Sequence, residues 1–171
     1  MPESNTRNYR EDEGENLYRR SMYTFWKRSA PPASMDIFNA PNREQCTVRR
    51  ERTNTPIQAL VTLNDPQFIE AARRMAQRML LDSQIPPADP LGRIQWLSER
   101  ILARPMLPAE LEIAQQNVTD LLAYYQAHPE AVDALLAVGR SAIDGKVDRS
   151  ELAGWTMLVN ELLNLDETLN K

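Results

Sequence analysis

The residues of this chain best suited to chemistry are arginines. Arg43, Arg49, Arg50 and Arg52 crowd into one short stretch and run into Thr53, Asn54 and Thr55. A guanidinium is a planar fork of donors that matches carboxylate, sulfate and phosphate. Thr55-Pro56 and Asp65-Pro66 each read as a helix start, and helix N-termini add backbone donors for an anion. This pattern predicts an anion or acidic-glycan site built from Arg49, Arg50, Arg52, Asn54, Gln58, Asn64 and Asp65. The competing reading is structural: the arginines pair with Glu44, Glu51, Asp65 or Glu70 and tie an irregular segment down. Gln58 and Asn64 flank the apolar run ALVTL, so their amides are expected to be partly buried and hydrogen-bonded. They either hold the backbone of the preceding loop or line a pocket for a hydroxylated ligand.

Other reactive residue types are sparse. Glu161, Asp166 and Glu167 form a carboxylate set near the C-terminus, and two facing carboxylates can do acid/base work on a glycoside. Spacing alone does not make them face one another. Asp144 and Asp148 around Gly145 do not match a calcium loop. Cys46 is the only cysteine, which rules out an internal disulfide and a cysteine-based zinc or haem-attachment site. It reads as a small buried apolar residue, since a catalytic thiol needs a base and the one histidine, His128, stands before Pro129 at a helix junction. Tyr18, Tyr23, Phe25 and Trp26 lie among Arg and Lys, where aromatics can stack on bases. A core or domain-interface role fits them better, because no nucleic-acid motif accompanies them and the pI is about 5.1.

The 171 residues suit one domain with a core of its own. The net charge of −4 is uneven. Residues 1–53 carry ten basic and eight acidic side chains, residues 54–104 six and five, and residues 105–171 four and eleven. A basic front beside an acidic back can steer a partner, although scattered solvated charge gives the same tally. No apolar run approaches the ~20 residues that span a bilayer, and the first twenty residues are polar and charged, unlike a signal peptide. The expectation is a soluble chain without membrane insertion.

The elements that must position these side chains are helices. Twelve prolines against five glycines point to helices separated by Pro-marked turns. Residues 1–16 read as a polar arm, with residues 17–171 as a single helical domain. A first helix is expected over Leu17 to Lys27 and irregular chain over 28–43. Pro56 then opens a helix ending near Asn64, and Pro66 one running to about Leu81. In that helix Phe68, Ile69, Ala72, Met75, Ala76, Met79 and Leu80 make the apolar stripe, with Arg73, Arg74 and Arg78 on other faces. Asp89-Pro90 opens a helix through Ile101 with Leu91, Ile94, Leu97 and Ile101 inward. Further helices follow from Pro108 to about Gln126, from Pro129, and after the cap Asp148. No alternating strand pattern occurs. The fold class is all-α: an irregular, aromatic- and Pro-rich N-terminal third packed on a bundle of about five to seven helices.

The segments YRRSMYTFWKR, APPASMDIFNAP, NREQCTVRRERTNTPIQALVTLNDPQFIEAARR and NELLNLDETLNK resemble the C-terminal domain, of unknown function, of large planctomycete proteins that carry a planctomycete-type cytochrome c module. The resemblance spans about Tyr18 to Lys171 and is most specific in RTNTPIQALVTLNDPQF. It implies that the chain is the tail of a longer, exported parent, with Met1 an internal start. It implies that haem c belongs to another domain of that parent and that no cofactor binds here. It brings no established catalytic residues. The function it suggests is a non-catalytic structural or docking module for the parent's upstream domains, the alternative being a contribution to an enzyme acting on complex, acidic or sulfated polysaccharide. One departure from the family pattern is Leu107, where Thr is favoured before the Pro, and it weakens a helix cap.

Overall fold

The computed structural model describes residues 12–26, 31–42, 44–86 and 88–170. Among them are eight α-helices and no strand: α1 (Ala33–Ile37), α2 (Pro56–Asn64), α3 (Pro66–Leu80), α4 (Pro90–Ile101), α5 (Pro108–Ala127), α6 (Pro129–Leu136), α7 (Arg149–Leu163) and α8 (Asp166–Leu169).

Punctuation in the sequence sets most of these boundaries. Proline stands at the first helical position of α2, α3, α4, α5 and α6, where its missing N–H costs nothing. Side chains of Thr55, Asp65, Asp89 and Asp148 accept first-turn amides of α2, α3, α4 and α7. The N-terminal third differs from expectation. Of the helix expected over Leu17 to Lys27, Lys27 lies outside the described residues, and up to residue 26 the chain instead makes two 3-10 turns, Gly14–Tyr18 and Ser21–Tyr23. Neither buries a residue, and a helix that short has no means of offsetting its nucleation cost. Within the expected irregular stretch lies α1, anchored where Phe38 meets Phe68 with ring centroids 6.2 Å apart. Most of the expected polar arm, residues 1–11, lies outside the described residues, as does Arg43.

The bundle is organised around α7, which packs against α2, α3, α4, α5, α6 and α8. It is buried almost all round, through Leu152, Ala153, Trp155, Leu158, Val159 and Leu162. Helices α3, α4, α5 and α6 supply Ala72, Ala76, Met79, Ile94, Leu97, Val118, Val132 and Leu136 to the same core. Gly154 lets α5 approach: a Cβ there would stand 2.8 Å from Leu122. Leu91, expected inward, is 39% exposed in the first turn of α4.

Two polar devices complete the packing. Arg104 bridges α5 and α8, donating to Glu110 from both terminal nitrogens (2.8 and 2.9 Å) and to Glu167 (2.7–3.1 Å). Glu110 also accepts the Leu107 N–H at 2.8 Å. That is one half of a capping box; Leu107 cannot supply the other half and leaves its side chain 62% exposed. Leu107→Thr should therefore stabilise the protein by about 0.5–1 kcal/mol, read as a rise of a few degrees in the melting temperature. An unchanged or lower melting temperature would show that the cap is not limiting.

Candidate functional site

The site is best built outward from α2, whose sequence PIQALVTLN is the most apolar short helix in the chain. Its two buried side chains are polar, Gln58 at 2% exposure and Thr62 at 0%, while Ile57 and Leu60 are 59% and 62% exposed. None of its large apolar residues joins the core.

Hydrogen bonds explain the inversion. The Gln58 amide is saturated: Nε2 donates to the Ile37 carbonyl and to Thr53 Oγ1, both at 2.8 Å, and Oε1 accepts the Thr55 N–H at 3.0 Å. Thr55 Oγ1 in turn accepts the Gln58 N–H, closing a capping box. Asn39, in the left-handed region at φ 54°, donates to the same Thr53 hydroxyl at 2.6 Å. On the next turn the Thr62 hydroxyl lies 2.5 Å from Asn164 Oδ1, and Asn160 Nδ2 donates to the Leu63 carbonyl at 3.2 Å. At the near end Asn54 Nδ2 donates to Asp166 at 2.9 Å, and Asp166 also holds Asn170. The segment TNTPIQALVTL is thus fastened to NELLNLDETLN, about a hundred residues later, by polar side chains.

This geometry disperses the predicted site. Arg50 and Gln58, with Asn39 and Thr53, face Leu169 and Asn170 across a small cleft of about 210 Å³ counting its open mouth. The Gln58 amide that borders it is already held by Ile37, Thr53 and Thr55. Arg49, Arg50 and Arg52 are exposed and form no ion pair among the described residues. Asn64 is exposed and donates to Leu60 of its own helix at 2.8 Å. Asp65 accepts the Gln67 N–H at 2.8 Å, so an anion at the start of α3 would meet a carboxylate rather than free amides. Asn54 serves α8.

The three C-terminal carboxylates have separate partners. Glu167 pairs with Arg104, Asp166 with Asn54 and Asn170, and Glu161 with the Asn117 amide. Burial pushes the Glu161 carboxyl above its ordinary range, against the opposing Asn117 bond. Cys46, expected buried, is exposed on the loop before α2. Among the described residues no group of His, Cys, Asp or Glu is placed to hold a metal ion.

A second polar cluster was not legible in the sequence. Arg73, assigned to a face outside the core stripe, is 3% exposed, and Glu70 is 5% exposed. Glu70 accepts the backbone N–H of Arg140 (3.0 Å) and Ser141 (2.7 Å) and the Tyr18 hydroxyl (2.9 Å). Arg73 donates to the carbonyls of Leu136 (2.8 Å) and Ser141 (3.0 Å). Together they clamp the loop between α6 and α7. Gly139 there has φ 87°, and a Cβ would lie 2.7 Å from Glu70. The signal was present as Glu70, Arg73 and Gln77 on one face of α3, but charged residues at helical spacing ordinarily mark a solvated face.

Fold and site together define an all-α bundle with an N-terminal segment fastened to it by polar bonds. The chain belongs to the PSD1 family, described as a protein of unknown function (DUF1553), whose sequence profile matches residues 1–118. No curated protein and no solved structure matches it. No helix among the described residues is long and apolar enough to cross a membrane.

Two outcomes follow. Burial alone would raise the Glu70 carboxyl, but hydrogen bonds from Ser141, Arg140 and Tyr18 outweigh it and bring the pKa to about 2, from an ordinary 4.5. A depressed folded-state value means stability that is present above the unfolded pKa and lost as pH falls through the window from about 4.5 to about 2. Glu70→Gln should lower stability at pH 7 and flatten that part of the acid limb in urea melts across pH. Gln58→Ala strips the partners from the Ile37 carbonyl and the Thr55 N–H and should cost about 2–4 kcal/mol by denaturant unfolding; a cost under ~0.5 kcal/mol would show that water replaces the amide freely.

Proposed function

We propose that this protein is a non-catalytic docking module, the C-terminal part of a longer exported protein whose haem lies in an upstream domain, and that it binds those upstream domains. The observation that carries the reading is α2, which buries Gln58 and Thr62 and presents Ile57 and Leu60 to solvent. Its hydrogen bonds hold that orientation within the fold, and the apolar area left in water is what a partner would cover. Tyr18, Met22, Tyr23 and Phe25 on the N-terminal segment are also 56–62% exposed. The candidate carboxylates and amides Gln58, Glu70, Glu161, Asp166 and Glu167 are engaged in holding the structure together.

Hydrogen–deuterium exchange compared between this chain and the longer polypeptide tests the reading. Slower exchange of α2 and residues 18–25 in the longer protein is expected, and identical exchange would overturn it. The exposed guanidiniums of Arg49, Arg50 and Arg52 favour a second reading, the binding of an acidic or sulfated glycan. A thermal-shift titration with neutral and sulfated oligosaccharides at two salt concentrations separates the two. No selective shift is expected; a sulfate-selective shift lost in Arg50→Ala would favour the glycan reading.

A further inference from the structure

The exposed face of α2 is small and its surroundings are specific, and together these restrict what can cover it. Burying Ile57 and Leu60 removes on the order of 100–200 Å² from water, far below the ~800 Å² per partner of a stable protein dimer. A second globular copy of this chain would leave most of such an interface unaccounted for. A short linear segment with two or three apolar anchors fits the area. Helical anchors spaced i and i+3 or i+4 match Ile57 and Leu60, which are themselves three residues apart on one face.

Charge narrows the chemistry further. The chain enters α2 through Arg49, Arg50 and Arg52, all exposed and without an ion pair among the described residues. Glu44 and Glu51 lie in the same loop and are also exposed, so residues 44–55 carry a net charge of +1. Arg52 is five residues from Ile57, at most ~18 Å even fully extended. A segment lying on Ile57 and Leu60 can thus place carboxylates within reach of at least one guanidinium fork. The opposite end of α2 carries Asp65, already engaged as the α3 cap, which disfavours a second carboxylate there and sets a polarity for the bound segment.

We infer that the α2 face docks a short amphipathic acidic segment of another polypeptide, its apolar anchors on Ile57 and Leu60 and its carboxylates toward Arg49, Arg50 and Arg52. This rests on the docking reading above and specifies its partner. The apolar anchors supply most of the affinity. The carboxylates add selectivity and a modest salt dependence, because the ion pairs are exposed.

The test is selection of a displayed library of random 16-residue peptides on the full chain, with Leu60→Asp as counter-target, followed by anisotropy titration of the enriched peptides. Leu60 is exposed, so the variant should keep its melting temperature, and Leu60→Ala serves as a second test variant that adds no charge. The inference expects enriched peptides with apolar residues at i, i+3 or i+4 and an excess of Asp and Glu. Binding should fall about tenfold in Leu60→Ala. It should fall two- to fivefold when Arg49, Arg50 and Arg52 are all changed to Gln, and by a similar factor between 50 and 300 mM salt. Enriched peptides that depend on Leu60 but are neutral or basic would overturn the acidic partner and leave the docking reading standing. Enrichment independent of Leu60, or none, would overturn both. Concentration-dependent self-association abolished by Leu60→Asp would assign the face to a second copy and also overturn the inference.

Discussion

The structure depends on one polar seam. Gln58 and Thr62, a turn apart on α2, face inward; Asn160 on α7, Asn164 just past its end and Asp166 at the start of α8 meet the same segment. Every bond in the seam is directional, so it fixes not only that α2 lies on α7 but which way α2 is turned about its own axis. Hydrophobic contact alone would not do this. PIQALVTLN has apolar residues on all sides, and burial by area would favour rolling Ile57 and Leu60 inward. The amide and hydroxyl bonds win because leaving their buried partners unmet would cost the desolvation of each group. The outward apolar face is the consequence.

The same logic recurs on the other side of the bundle. Glu70 and Arg73, buried on α3, gather the backbone of the loop leading into α7, much as Gln58 gathers the chain around Ile37, Thr53 and Thr55. In both places a long polar side chain substitutes for regular secondary structure, supplying bonds to irregular backbone that must lie close to the core. Tyr18 adds the N-terminal 3-10 turn to the Glu70 cluster. Glu70 and Arg73, which look like the start of a site, are in this fold fasteners for a loop.

Helix placement was largely legible in the sequence, and for a clear reason. Thr55-Pro56, Asp65-Pro66, Asp89-Pro90, Pro108, Pro129 and Asp148 are local signals that act through backbone geometry, and tertiary context did not override them. Periodicity worked equally well for α3, whose stripe puts Ala72, Ala76 and Met79 in the core. For α2 no apolar stripe was available to read, because no apolar pattern reveals that a helix is held by its polar side. Periodicity failed for Arg73, since a buried arginine and a solvated one look alike until the loop that receives it is placed. Gln58 stood out among the candidate residues because an amide beside ALVTL needed partners; that those partners were backbone groups of residues 37 and 55, and not a ligand, required the fold. The short helices α1 and α8 carry too few residues for any period to register.

The central claim is that the seam between α2 and α7 is an energetic coupling and not a coincidence of surfaces. The direct measurement is a double-mutant cycle on Thr62→Ala and Asn164→Ala, read by denaturant unfolding. A hydroxyl at 2.5 Å from Asn164 Oδ1 in a part-buried setting predicts a coupling of about 1 kcal/mol. Additivity within ~0.3 kcal/mol would contradict the account, because α2 would then be free to turn and its apolar face would need no partner.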